Sequence, residues 1–158
     1  MQARMTHPAL ILPDVMTALM GLGKVVHSAA VKHGVPLSTL EIVHLRASQI
    51  NGCSACVGGH ATAAAKSVES ARRLMGVTAW RESPFFTDAE RAALELTEAV
   101  TRIQDRGDAV SDDIWNEARK HYSEEGLAAL ILSIASANYW NRLNASTRQV
   151  AGGWDWTP

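Results

Sequence analysis

Cysteine is nearly absent from this chain, two residues among 158, which excludes a small scaffold stapled by several disulfides. Aromatic residues are sparse as well, at 6%. No basic block occurs: 15 Lys and Arg face 16 Asp and Glu, for a net charge of -1. Without a run of cations to neutralise phosphates, nucleic acid is not an expected partner. Long apolar runs are missing too. The longest, Gly126 to Ala137, is broken by Ser133 and Ser136 and falls short of the ~20 residues that span a bilayer, so no membrane partner is expected. Near the start, Ala9 to Leu12 is cut off by Pro13, too short a stretch for a signal-peptide core. The expected setting is cytoplasmic and reducing, where a cysteine pair is more often catalytic or metal-binding than structural.

What is present is an ordinary globular composition, 47% hydrophobic and 20% charged. At one domain per ~100 to 200 residues the chain, residues 1–158, is expected to form a single domain. Such a chain buries roughly 68 to 70% of its unfolded surface and needs no covalent staple, which leaves the two cysteines to be explained.

Pro, Gly and capping residues divide the sequence into helix-length pieces, and no run of strict alternation marks a strand. The expected fold is all-α, with about six to seven helices. Pro13 suits a first helical position, and Val15, Leu19, Leu22, Val26 and Ala30 recur at helical spacing before Gly34 and Pro36, predicting a helix over about 14–33. Ser38-Thr39-Leu40-Glu41 has the form of a capping box that opens a second helix up to Asn51-Gly52. A third is expected from about Cys53 to Lys66, and a shorter one near Glu69 to Met75. Thr87-Asp88-Ala89-Glu90 forms another box, Ser111 can cap a further piece, and the last helix opens near Ser123 and carries a polar cluster from Asn138 to Asn144. Trp154 and Trp156 follow Gly152-Gly153. Two large aromatics on such a tail call for a covering surface, on the same subunit or on another copy.

Cys53-Ser54-Ala55-Cys56 is the sharpest local feature. On a first helical turn, residues three apart face one side with Cβ atoms ~5 to 6 Å apart, within a small adjustment of disulfide distance. The helix N-terminus also favours thiolate over thiol. His60 follows Cys56 by four residues and shares that face, where an imidazole could take the thiol proton. Glu41, on the preceding helix, could orient His60 or relay its proton if the two helices pack across Asn51-Gly52. His44 and Ser48 follow Glu41 on the same face. Bland readings exist for each: Glu41 as half of a capping box, His60 and His44 as surface or core histidines. A structural disulfide is the weakest account of the C-x-x-C, because so short a loop constrains the unfolded chain least. Zinc is the rival, since two thiolates, an imidazole and a carboxylate make four ligands, although no second C-x-x-C or His pair is present.

The stretch Glu41 to His60, with twelve residues from Glu to the first Cys, then C-x-x-C and a His four after the second Cys, resembles the alkylhydroperoxidase D branch of the carboxymuconolactone decarboxylase family. The likeness continues in Trp80-Arg81-Glu82-Ser83, in Phe86-Thr87 with Glu90-Arg91-Ala92-Ala93-Leu94, and in Trp140-Asn141-Arg142-Leu143, covering most of residues 38–145. It implies an all-helical fold assembled as trimers or hexamers. It also implies a thiol-dependent peroxidase or disulfide reductase activity, with no metal or organic cofactor. On that resemblance Cys56 is the peroxidatic cysteine and Cys53 the resolving one, with His60 and Glu41 as proton relay and general base. The implied partners are an organic hydroperoxide or hydrogen peroxide and a dithiol reductant of lipoamide or thioredoxin type. Two positions depart from the pattern. Ala55 stands where better studied members carry a His between the cysteines, and Gly58-Gly59 replaces larger residues, at ~1 kcal/mol of helix stability each. Such glycines either loosen the helix or admit a close neighbour. These departures leave a second reading, a redox-responsive thiol-exchange protein with little peroxidase turnover; the third is the zinc-binding helical protein.

Overall fold

In the computed structural model, residues 2–64, 68–103 and 106–152 are described. They form eight α-helices and one 3-10 turn, with no strand among the described residues. The expected all-α class is met. The helices are α1 (Pro8–Ile11), α2 (Pro13–Lys32), α3 (Leu37–Ile50), α4 (Ser54–Ala64), α5 (Val68–Gly76), α6 (Asp88–Thr101), α7 (Asp112–His121) and α8 (Glu124–Thr147), with the 3-10 turn Val77–Ala79 between α5 and α6. The short α1 and this turn are additions to the predicted set; single turns carry too little periodicity to be read.

Three predicted N-termini are made as expected. Thr87 caps α6 in a complete box: its side chain accepts from the Glu90 N–H and the Glu90 carboxylate accepts from the Thr87 N–H. Ser111 accepts from the Ile114 N–H and Ser123 from the Gly126 N–H. The fourth is corrected. Pro36 caps α3, without a side-chain cap bond, and its carbonyl accepts from both Thr39 and Leu40. Because the fixed Pro36 backbone starts the helix, Ser38 lies inside the first turn and its box with Glu41 does not form.

α3 is the axis of the molecule, packed on α6 along one side and on α8 along another. Ile42 and Val43 of α3, Leu94 and Leu96 of α6, and Leu130 and Ile134 of α8 are each 0% exposed. α2 also lies on α8, and here the predicted apolar face is only partly covered. Val26 and Ala30 are buried, whereas Val15 and Leu22 are exposed. α2 therefore uses the C-terminal part of its stripe in this chain's core.

Among the described residues no helix is long and apolar enough to cross a membrane. Trp154 and Trp156 lie outside the described residues.

Candidate active site

The site is built at the junction of α3 and α4. Gly52, at φ 64, takes the left-handed position just beyond α3. The Gly52 N–H donates to the Gln49 carbonyl and the Cys53 N–H to the Ser48 carbonyl, the paired bonds of a Schellman turn. Any residue with a Cβ is strained at that φ, so the predicted Asn51-Gly52 break is what delivers Cys53 to its place. Cys53 then acts as the cap of α4: its Sγ accepts from the Cys56 N–H at 3.2 Å and its carbonyl from the Val57 N–H.

Cys53 and Cys56 are joined as a disulfide, with Cα atoms 5.3 Å apart. Their surroundings differ. Cys53 is 2% exposed, whereas Cys56 is half-buried and receives the Asn144 side-chain N–H on its sulfur at 3.2 Å. The C-terminal segment passes close by: Ser54 donates its hydroxyl to the Gln149 carbonyl. A Cβ on Gly58 would stand 2.9 Å from the Ala151 Cβ. Of the two consequences read for Gly58-Gly59, Gly58 admits the close neighbour.

His60 is half-buried on α4, and burial lowers its imidazole below the ordinary value, which favours the neutral, proton-accepting form. Glu41 is half-buried on α3, one turn before His44, and no hydrogen bond or ion pair joins it to His60 among the described residues. His44 does have a specific partner, unlike its bland reading: its Nε2 lies 2.7 Å from the Ser133 hydroxyl of α8. Burial, then the charges of His60 and His27, lower His44 to about 4 against the opposing hydrogen bond with Ser133. The repulsion from His60 is among the causes, so His44 of α3 lies within electrostatic range of α4.

A row of side-chain amides on α8 was not assigned a role from sequence. Asn51, at the end of α3, donates to the side-chain oxygens of Asn138 and Asn141, and Asn141 donates to the Ser48 hydroxyl. Asn138 also reaches Thr101 of α6. Asn138, Asn141 and Asn144 are all buried. The signal was three asparagines at three-residue intervals in a helix otherwise rich in Leu, Ile and Ala, which sets one polar line along the buried face. Among the described residues, no group of three or more His, Cys, Asp or Glu side chains is placed to hold a metal ion.

Comparison with known proteins agrees with this architecture. Residues 13–99 match the carboxymuconolactone decarboxylase family. A Bacillus subtilis (strain 168) protein, the uncharacterized protein YdfG, is 34% identical over 134 residues, 85% of this chain and 87% of its own length. A crystal structure from Agrobacterium tumefaciens, of a protein of unknown function that is a candidate antioxidant defence protein AhpD, superposes with a TM-score of 0.83 at 32% identity. It covers 95% of this chain and 98% of that one. The debrominase Bmp8 superposes with a TM-score of 0.71 at 27% identity, over 89% and 73% of the two chains.

Proposed function

Since the chain belongs to the carboxymuconolactone decarboxylase family, we propose that it is a thiol-dependent (hydro)peroxidase of antioxidant defence that cycles Cys53 and Cys56 between dithiol and disulfide. The observation that carries this reading is the closed Cys53 to Cys56 bond at the start of α4, with one sulfur buried as the helix cap and the other half-buried beside a neutral-leaning His60.

In the proposed cycle His60 takes the proton from the Cys56 thiol, with Glu41, not bonded to His60 while the disulfide is closed, as general base. The thiolate attacks one peroxide oxygen, the O–O bond breaks, and the departing alkoxide takes up that proton as ROH, leaving Cys56 as a sulfenic acid. The Cys53 thiol then attacks the Cys56 sulfur. The S–O bond breaks, water leaves with the thiol proton, and the disulfide forms. A dithiol of lipoamide or thioredoxin type returns two electrons and two protons by thiol exchange and departs as its own disulfide. The buried Cys53 sulfur suits the resolving role, since it must meet only Cys56. The half-buried Cys56 suits contact with peroxide.

The apolar side chains left exposed on α1, on α2 and between them, Leu10, Leu12, Leu22 and Val25 among them, support the homo-oligomer of the resemblance, a trimer or hexamer whose mass light scattering would read. A monomer at high concentration refutes it.

Thiol counting before and after one equivalent of hydroperoxide, together with turnover on a dithiol, tests the activity. Both thiols should disappear together, and Cys56→Ser should abolish turnover. A Cys56→Ser protein that consumes hydroperoxide at the parent rate overturns the proposal. Bromide release from a bromoaromatic, with no hydroperoxide consumption, would move the chain to the chemistry named for Bmp8.

A further inference from the structure

We propose that Asn144 is the residue that holds negative charge on Cys56: its side-chain N–H is a built-in donor to the Cys56 thiolate. The inference deepens the preceding one and rests on Cys56 being the sulfur that ionises.

Asn144 is 2% exposed, and its Nδ2 stands 3.2 Å from the Cys56 sulfur. A disulfide sulfur is a poor acceptor, so this contact gains little while the bond is closed. A thiolate is a strong one, and a hydrogen bond to a charged group is roughly twice as strong as a neutral one. The donor is thus in place before the charge develops, and little rearrangement is needed when it does. Its position is secured at both ends. One turn earlier Asn141 is tied to Ser48 and Asn51 of α3, the turn that feeds into Cys53. Just after it, the Asn144 carbonyl accepts the Gln149 N–H that closes α8. The same row that locks α8 to α3 therefore fixes the donor against the sulfur. The two sulfurs end up with separate donors, the Cys56 N–H for Cys53 and the Asn144 side chain for Cys56.

Other titratable groups on the surrounding elements are His60 on α4, Glu41 and His44 on α3, and Arg142 and Arg148 on or just after α8. Arg142 is turned onto Asn138, and Arg73 of α5 is held by Glu90. All of them stay in place in the variants below.

The test measures Cys56 alone, in a Cys53→Ser background, because serine caps a helix as well as or better than the thiol it replaces. The rate of alkylation by iodoacetamide is followed against pH. Asn144→Ala should raise the midpoint by about one pH unit, a tenfold smaller thiolate fraction below the midpoint. Asn144→Asp, equal in size, should raise it further, because a carboxylate repels the thiolate. An unmoved midpoint in Asn144→Ala overturns the proposal whatever Asn144→Asp does, since a carboxylate repels the thiolate even where the native amide donates nothing; equal shifts in both also overturn it, since loosened packing does not order the two by charge. If the alanine variant fails to fold, Asn144→Leu, close in size and without a donor, takes its place: a raised midpoint supports the proposal and an unchanged one overturns it. Alkylation needs no peroxide, so a protein that fails the peroxidase assay can still pass or fail here.

Discussion

α3 carries two polar seams, and they are made of different chemistry. Toward α6, Glu98 gathers Arg46, Arg81 and Arg102 by ion pairs, and the Trp80 indole N–H donates to it at 2.9 Å. Toward α8 the pairs across the seam are uncharged, His44 to Ser133, Ser48 to Asn141, Asn51 to Asn138 and Asn141, with Arg142 of α8 donating to Asn138 at its edge. The ionic seam fixes register through a carboxylate that is nearly surrounded by donors. The neutral seam also fixes register, but it ends at the disulfide, where a fixed charge would bias the sulfurs whether or not they were ionised. Amides and hydroxyls can line up donors there without imposing a net field. The buried carboxylate hub is placed on one side of α3, and the side that faces the sulfurs pairs across by amides and hydroxyls.

The sharpest way to break this comparison is to remove the hub of the ionic seam. Glu98→Gln leaves a half-buried Arg46 and the Trp80 N–H with a weaker acceptor, and breaking a largely buried charge network by deleting one partner costs about 3 kcal/mol. Urea unfolding at neutral pH should register a loss of that size. A loss below about 1 kcal/mol would show that the cluster behaves as ordinary surface ion pairs do.

A second test separates the seams by acidity. Burial alone would raise the Glu98 carboxyl, but hydrogen bonds from Trp80, Arg102 and Arg46, with the Arg46 charge, outweigh it and hold the group at about 2 instead of 4.5. Its contribution is therefore complete above pH 4.5 and is lost as the pH falls toward 2. His44 is a base lowered from 6.5 to about 4. Between those values the unfolded chain binds a proton that the folded chain refuses, so stability falls as the pH drops from 6.5 to 4. The neutral seam should weaken first. Stability measured from pH 7 to pH 3 should lose part of its upper slope in His44→Gln and part of its lower slope in Glu98→Gln. Unchanged upper slope in His44→Gln would remove His44 from this account.

The ionic seam and the neutral one were not equally legible in the sequence. Local signals were read correctly where one residue sets a local geometry: Thr87, Ser111 and Ser123 as caps, Gly52 as the break before Cys53, the C-x-x-C as a bonded pair. Ser38 failed as a cap because Pro36, two residues earlier, already fixed the start of α3. Val15 and Leu22 of α2 fit a helical period but lie exposed, since periodicity gives a stripe and not what covers it. The amide row was visible as a spacing in α8. Its partners, Ser48, Asn51 and Cys56, lie some ninety positions away in sequence, and only the packing of α3 on α8 pairs them.

The smallest expected effect sharpens the neutral seam at its far end. α3 and α8 both finish in a Schellman turn beside the disulfide, one with Gly52 at φ 64 and the other with Arg148 at φ 53. In the second, Arg148 N–H donates to the Ala145 carbonyl and Gln149 N–H to that of Asn144, and the same Gln149 carries the carbonyl that Ser54 meets. Glycine adopts this conformation freely, while a residue with a Cβ is strained there by roughly 1 to 2 kcal/mol. Against that, glycine adds about 0.5 to 1 kcal/mol of backbone entropy to the unfolded chain. Arg148 is exposed, so its side chain adds little to the balance. Arg148→Gly should therefore raise stability by about 0.5 kcal/mol, read as a small upward shift of the urea midpoint at constant slope. Gly52→Ala, the mirror experiment, should lower it by about 1 kcal/mol or more, because there the strain is introduced rather than relieved. A destabilised Arg148→Gly protein would mean that the arginine side chain holds the turn beside Cys56, and that the two ends of the neutral seam are not built on the same principle.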